Sequence, residues 1–285
     1  MTASTAATRT GGAAVRTVGV VHVYRVFGTD VAALRGVDLD VAPGERVALL
    51  GPSGSGKSTL LSVLAGLRRP SAGSVLVDGD DVARFSEGRM YRYRAATGLM
   101  LQGAASNLLS YATPAENVRF ARTGTRAALG AGRQVLELAG LHDERRTVDR
   151  LDRAGQQAVA LAVAVMNAPR LLLVDEPTSQ LDDDERDHLL DALVEATQQA
   201  GTTVVMVTHD EAVAARMQRM IRMRDGRIGA EGLRHEQYAV IGSDGSVQLP
   251  EELLATWPAG STVRVQAASA DEIRLLRRAD ESREQ

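Results

Sequence analysis

The chain has 285 residues, 44% of them hydrophobic, and a formal charge of -3, enough for one or two domains with a large core and without an overall basic footprint for nucleic acid. There is no cysteine, which excludes disulfides, thiolate metal sites and cysteine nucleophiles. The longest apolar run, Ala158 to Met166, has nine residues. A bilayer span needs roughly 20, so the chain is expected to be soluble and to meet a membrane only through a partner.

In chain order, residues 1–14 are rich in Ala, Thr and Gly, lack the apolar stretch of a signal peptide, and are expected as a disordered tail. Val18 to Val23 and Ala33 to Val41 read as strands, followed by a Pro43-Gly44 turn and a third strand, Arg46 to Leu50. A glycine-rich loop and a helix come next, then a strand and turn over Gly73 to Gly79. From Val82 to about Ala168 the periodicity is helical, clearest over Ala127 to Leu141 and Gly155 to Met166. Two buried strands, Leu171 to Val174 and Thr203 to Val207, flank a helix over Glu185 to Gln199. The pattern predicts a parallel α/β core interrupted by a helical insertion.

Lys57 is the only lysine, the other 32 basic side chains being arginines, and it lies in Gly51-Pro52-Ser53-Gly54-Ser55-Gly56-Lys57-Ser58-Thr59. The stretch fits Gly-x-x-x-x-Gly-Lys-[Ser/Thr] in the order strand, loop, helix. The glycines let backbone N–H groups fold around phosphate oxygens at a helix N-terminus, the ammonium reaches the β- and γ-phosphates, and the Ser58 hydroxyl can ligate Mg2+. The expected ligand is a nucleoside triphosphate with magnesium, bound through Ser53, Gly54, Ser55, Gly56, Lys57, Ser58 and Thr59.

The strand Leu171 to Val174 ends in two carboxylates, Asp175 and Glu176, followed by Pro177-Thr178. At that place Asp175 can hold Mg2+ through water and Glu176 can orient or deprotonate an attacking water. With these residues, the stretch from about Val18 to Gly229 resembles the ATP-binding subunit of an ABC transporter. The resemblance implies a P-loop NTPase fold with a RecA-like parallel core, an antiparallel β subdomain and a helical subdomain over about 85–168, the ATPase domain spanning 15–228. It also implies further site residues. Tyr24 matches the aromatic that stacks on adenine, with Phe27 close enough to compete. Gln102 matches the glutamine that touches Mg2+ and links the site to the helical subdomain. Ser179 to Asp182 matches the loop that crosses the dimer interface, and His209 matches the histidine that contacts the γ-phosphate. The segment Asn107 to Val118 resembles the subgroup serving MacB-type and lipoprotein-releasing permeases. An integral membrane permease is therefore the expected partner, holding the chain on the inner face of the cell membrane.

One element breaks the family pattern. Where the resemblance calls for a Leu-Ser-Gly-Gly-Gln signature, the chain has Leu151-Asp152-Arg153-Ala154-Gly155-Gln156, and Ala158 replaces the following arginine. A carboxylate at 152 can still cap a helix, but it offers a phosphate no donor and repels it. Arg153 and Ala154 put Cβ atoms where the two glycines would allow close backbone approach. Rescue by the Arg153 guanidinium is the alternative. An impaired signature predicts a heterodimer in which a second ATPase subunit with an intact signature completes this chain's site, and hydrolysis runs on Glu176.

Past Arg227 a polar stretch, 229–237, is expected as a linker. The segment 238–278 reads strand, turn, strand, short helix, strand, strand and resembles the AbrB-like swapped-hairpin module, with 279–285 a tail. Such modules often bind DNA, but Tyr238 to Gln285 holds eight acids against five arginines. Acidic surface opposes phosphate, so dimerisation is the expected role and DNA is not an expected partner. Two other functions are compatible with the motifs: an ATPase transmitting conformational change through a permease-like protein without transport, and a nucleotide-dependent DNA-binding regulator.

Overall fold

The computed structural model describes residues 11–103, 107–122, 129–233, 236–239, 261–269 and 272–277, with isolated positions between 245 and 257. It divides into two compact units, 1–248 and 249–285.

The first unit is built on two sheets. β1 (Val15–Val26), β2 (Thr29–Val41), β4 (Ala72–Val77) and the short β5 (Asp80–Asp81) form an antiparallel sheet in the order β2-β1-β4-β5. The second has the order β11-β10-β9-β3-β8-β7-β6, built from β3 (Arg46–Leu50), β6 (Thr97–Met100), β7 (Leu171–Asp175), β8 (Thr203–Thr208), β9 (Arg219–Arg224), β10 (Arg227–Leu233) and β11 (Glu236–Ala239). Its strands from β9 through β3, β8 and β7 to β6 are parallel. Every residue of β7 and β8 is buried, as is β3 after Arg46. Burial on both faces explains why these strands read as continuous apolar runs without alternation.

One core packs α1 (Lys57–Leu64) between the two sheets, through Leu60, Leu61, Leu64, Leu49 and Val207. On the other face of the parallel sheet lie α3 (Pro114–Phe120), α4 (Leu129–Leu138), α5 (Arg153–Val165) and α6 (Asp183–Ala200), joined by Val118, Val135, Val159, Leu161 and Leu193. α6 ends at Gly201, whose φ of 63° gives the left-handed cap a side chain would resist. Two further helices, α2 (Glu87–Ala96) and α7 (Glu211–Ala215), precede β6 and β9.

The structure departs from the sequence reading in four places. Residues 11–14, expected in the tail, are tied down: Ala13 N–H donates to Arg170 O at 3.0 Å, and the Arg170 guanidinium holds the carbonyls of Gly11 and Gly12. Residues 1–10 lie outside the described residues. Within the stretch read as helical, Thr97 to Met100 forms β6, a four-residue edge strand too short to carry a period-2 signal. The 229–237 stretch, expected as a linker, is largely strand: β10 pairs with β9, and β11 folds back on β10 with Leu233 opposite Glu236. These strands add to a sheet edge, where one face can stay polar, so their sequence shows no apolar run. Finally, the boundary between the units falls at Gln248/Leu249, not at Tyr238.

In the second unit, β12 (Val263–Ala267) and β13 (Ile273–Arg277) form an antiparallel hairpin with Val265 opposite Leu275 and Ala267 opposite Ile273. Val265 and Ile273 are each 63% exposed. The tail expected over 279–285 lies outside the described residues.

Candidate functional site

The site is assembled at the carboxyl ends of β3, β7 and β8, which lie side by side in the sheet. The Gly51–Gly56 loop leaves β3 and enters α1 through Gly56, at φ 100°. A Cβ on Gly56 would sit 2.5 Å from Ala33 O, and one on Gly51 would sit 2.1 Å from Met223 O, so neither position admits a side chain. No side chain caps α1, and its first turn holds no acid. Its N-terminal N–H groups and the positive end of its dipole are thus left for an external anion.

Lys57 is buried and its ammonium donates to Gly51 O at 2.6 Å and Pro52 O at 2.9 Å. Desolvation holds its pKa below the usual lysine range, partly offset by the nearby carboxylates of Glu176 and Asp175. Ser58 Oγ donates to Asp175 Oδ1 at 3.2 Å. Burial pushes the Asp175 carboxyl up, against the Ser58 hydrogen bond. A hydroxyl and a carboxylate brought together at a phosphate-binding helix end are hard oxygen donors of the kind Mg2+ takes alongside nucleotide phosphates.

Glu176 follows β7 with φ 49°, a left-handed conformation rarely adopted by a residue with a Cβ. It is held there by its own N–H, which donates to Val207 O at 2.9 Å, and its Oε1 lies 2.9 Å from His209 Nδ1. Strain of this sort is worth about 1–3 kcal/mol and survives where the surroundings over-determine it. Here it turns the Glu176 carboxylate toward the end of β8. His209 itself is largely exposed, while Glu176 is buried beneath it.

Of the other residues expected here, Tyr24 lies against α1, its hydroxyl 3.1 Å from Thr59 Oγ1, with the Arg68 guanidinium over its ring and His22 edge-on. Phe27, the competing aromatic, is fully exposed in the β1–β2 turn. Ser53 and Gly54 are exposed and Ser55 is buried within the loop. Gln102 is exposed after β6, and no side-chain bond joins it to Ser58 or Asp175. Asn107 was not anticipated: its Oδ1 accepts from Leu101 N at 2.9 Å and its Nδ2 donates to Leu101 O, pinning the backbone around Gln102. A single asparagine in a loop carries no sequence signal for that role.

Asp152 caps α5, accepting from Gly155 N at 2.8 Å, and Gln156 Nε2 donates to Val148 O and Leu151 O. Arg153 is exposed and Ala154 half-buried beside it. Asp182 caps α6 in a reciprocal box with Glu185, and the preceding Gln180 has φ 72°. Ser179 N donates to Glu176 O at 3.3 Å, so this loop is tied to the base of the same turn that aims Glu176.

A family model described as ABC transporter matches residues 34–179. The chain is 39% identical to the lipoprotein-releasing system ATP-binding protein LolD 2 of Caulobacter vibrioides over 216 residues, 74% of this chain and 94% of that one. It is 40% identical to the macrolide export ATP-binding/permease protein MacB 1/2 of Paracoccus denitrificans over 230 residues, 78% of this chain but 34% of that larger protein. Among solved structures, the dimeric post-hydrolysis state of the ATP-binding cassette MJ0796, bound to ADP and Pi, superposes with a TM-score of 0.69 at 30% identity, covering 78% of this chain and 99% of that one. Among the described residues no helix is long and apolar enough to cross a membrane. With the phosphate loop, the paired carboxylates and the histidine in one place, the chain belongs to the ABC transporter family as an ATP-binding subunit, a magnesium-dependent ATPase related to LolD and MacB.

Proposed function

We propose that this subunit is one half of an asymmetric ATPase pair that drives a MacB/FtsX-like permease from the inner face of the cell membrane. The observation that carries the pairing is the helix end at Asp152. The resemblance implies that this helix end faces the γ-phosphate held by the opposite subunit, and here a carboxylate stands at its cap, accepting from Gly155 N and offering a phosphate no donor. Two copies would hold two intact sets of Lys57, Asp175, Glu176 and His209 and no competent signature. A second ATPase with Leu-Ser-Gly-Gly-Gln completes this chain's site. There Ser58, Asp175 and Gln102 would hold Mg2+, which would supply charge neutralisation for phosphoryl transfer. Glu176 directs the water, His209 holds Glu176 and the γ-phosphate, Tyr24 stacks the adenine, and Ser179 and Asp182 meet the partner across the interface. Exposed Tyr111 and Phe120, both 76% accessible on the helical side of the molecule, support a permease docking there.

The C-terminal unit fits a pairing device between the two ATPases. A two-stranded hairpin is marginal in water by itself, and Val265, Ile273 and Leu275 share one exposed face. A matching hairpin on the partner would cover it. Steady-state phosphate release is the decisive measurement: the purified subunit alone is expected to turn over slowly and a reconstituted pair at full rate. Full-rate hydrolysis by this chain alone would overturn the asymmetric pair.

A further inference from the structure

A cavity of about 360 Å³ opens between α4, the start of α5 and the start of α6, away from Lys57 and the phosphate loop. Its floor is apolar, formed by Val135, Leu141, Ala158 and Leu189, and its mouth carries Asp152, Glu185 and His188. The room exists because short side chains stand on facing helices. Ala158 is 5% exposed at the wall where a longer side chain on α5 would fill the space.

The charge at the mouth is unbalanced. Asp152 uses Oδ1 for Gly155 N, and Glu185 uses Oε2 for Asp182 N. Both helix ends are thereby capped from within, so neither calls for an external anion. One oxygen of each carboxylate carries no hydrogen bond among the described residues; nearby Arg146 is bonded to Glu144 at 2.6 Å and acts on Asp152 only through space. An apolar floor with a few convergent polar groups, at the small end of the roughly 300–1,000 Å³ range, is the form of a small-molecule site.

We propose that this cavity is a binding site for a small amphipathic cation, an aryl- or alkyl-guanidinium or ammonium whose apolar body lies against Val135 and Leu189 and whose charge is held between Asp152 and Glu185. Asp152 also stands at the helix end that the proposed pair turns toward the opposite subunit, so the test uses the isolated chain, where that pairing plays no part.

Titration calorimetry of the full nucleotide-free chain tests it with three probes of one shape: benzamidinium, neutral benzamide and anionic benzoate. Benzamidinium is expected to bind about tenfold or more tighter than benzamide, the scale of one charge-assisted hydrogen bond, and benzoate not at all. Glu185→Gln, which keeps the capping box, should weaken benzamidinium and leave benzamide unchanged. Ala158→Phe should remove binding of both, with retained nucleotide binding at Lys57 showing that the variant is folded. If Ala158→Phe does not fold, the Glu185→Gln comparison decides alone. Equal affinity for the three probes, no binding at millimolar concentration, or benzamidinium binding unmoved by Glu185→Gln would each overturn the site.

Discussion

Two helices of this molecule, α1 and α5, treat their N-termini in opposite ways. α1 starts at Gly56 with no side-chain cap and no acid in its first turn. α5 starts at Asp152, whose carboxylate takes the Gly155 N–H. Both ends have the same dipole and the same unsatisfied donors at the outset. One leaves them for a ligand and the other supplies its own anion. A helix terminus is thus only a potential anion site; the residue at its cap decides whether a ligand is needed.

The largest way to test the contrast is at the α1 end. Glu176→Gln should reduce phosphate release by about 10²–10⁴-fold, the range for removing a general base. ATP binding should persist, because Lys57 and the glycine loop are untouched. Loss of nucleotide binding in a filter assay would show that Glu176 also builds the loop.

Next comes conversion of the α5 end. Replacing Asp152, Arg153 and Ala154 together by Ser, Gly and Gly should raise hydrolysis by the isolated chain about tenfold or more, since one recovered transition-state contact of 1.4 kcal/mol is worth that factor. Asp152→Ser by itself should do little, because Arg153 and Ala154 still crowd the approach. A single-variant gain equal to the triple one would place the defect in the charge alone.

Two smaller effects oppose one another in thermal melts. Asp152→Ala removes a cap and should cost about 1 kcal/mol, a fall of roughly 2–4 °C in Tm for a domain of this size. Asp175→Asn should raise the Tm of the nucleotide-free, magnesium-free protein by a similar amount, in the ~0.5–2 kcal/mol range of single stabilising changes, while disabling magnesium-dependent hydrolysis. The sign follows from the raised Asp175 pKa. The folded state holds that proton more tightly than the unfolded one, at 3.8, so the group favours the fold at acid pH and loses that contribution as pH rises through the raised value. The gain from Asp175→Asn should accordingly be larger at pH 7 than at pH 4. An increment independent of pH would mean that the buried charge is not its source.

The phosphate loop, the paired acids and the buried strands β3, β7 and β8 were legible from residues alone. Each is a local pattern whose physics is complete within a few neighbours: glycines where side chains collide with Ala33 and Met223, or apolar runs buried on both faces. The cap at Asp152 was also legible, because a cap acts on the helix that follows it. What one-dimensional reading missed depends on pairing between segments, which no single local pattern carries. Residues 11–14 are ordered by Arg170, β6 by β7, and β10 and β11 by β9. The strained turn at Glu176 depends on Val207 and His209, and the loop at Gln102 depends on Asn107.

By itself the sequence determined that a nucleotide is gripped and that one helix is capped by a carboxylate, since both follow from which residues stand at a helix N-terminus. Only the tertiary structure decided where Glu176 points, how Asp175 is buried against Ser58, and that α4, α5 and α6 leave a cavity behind Asp152. Direction, burial and empty volume are properties of packed neighbours, and no local pattern encodes them.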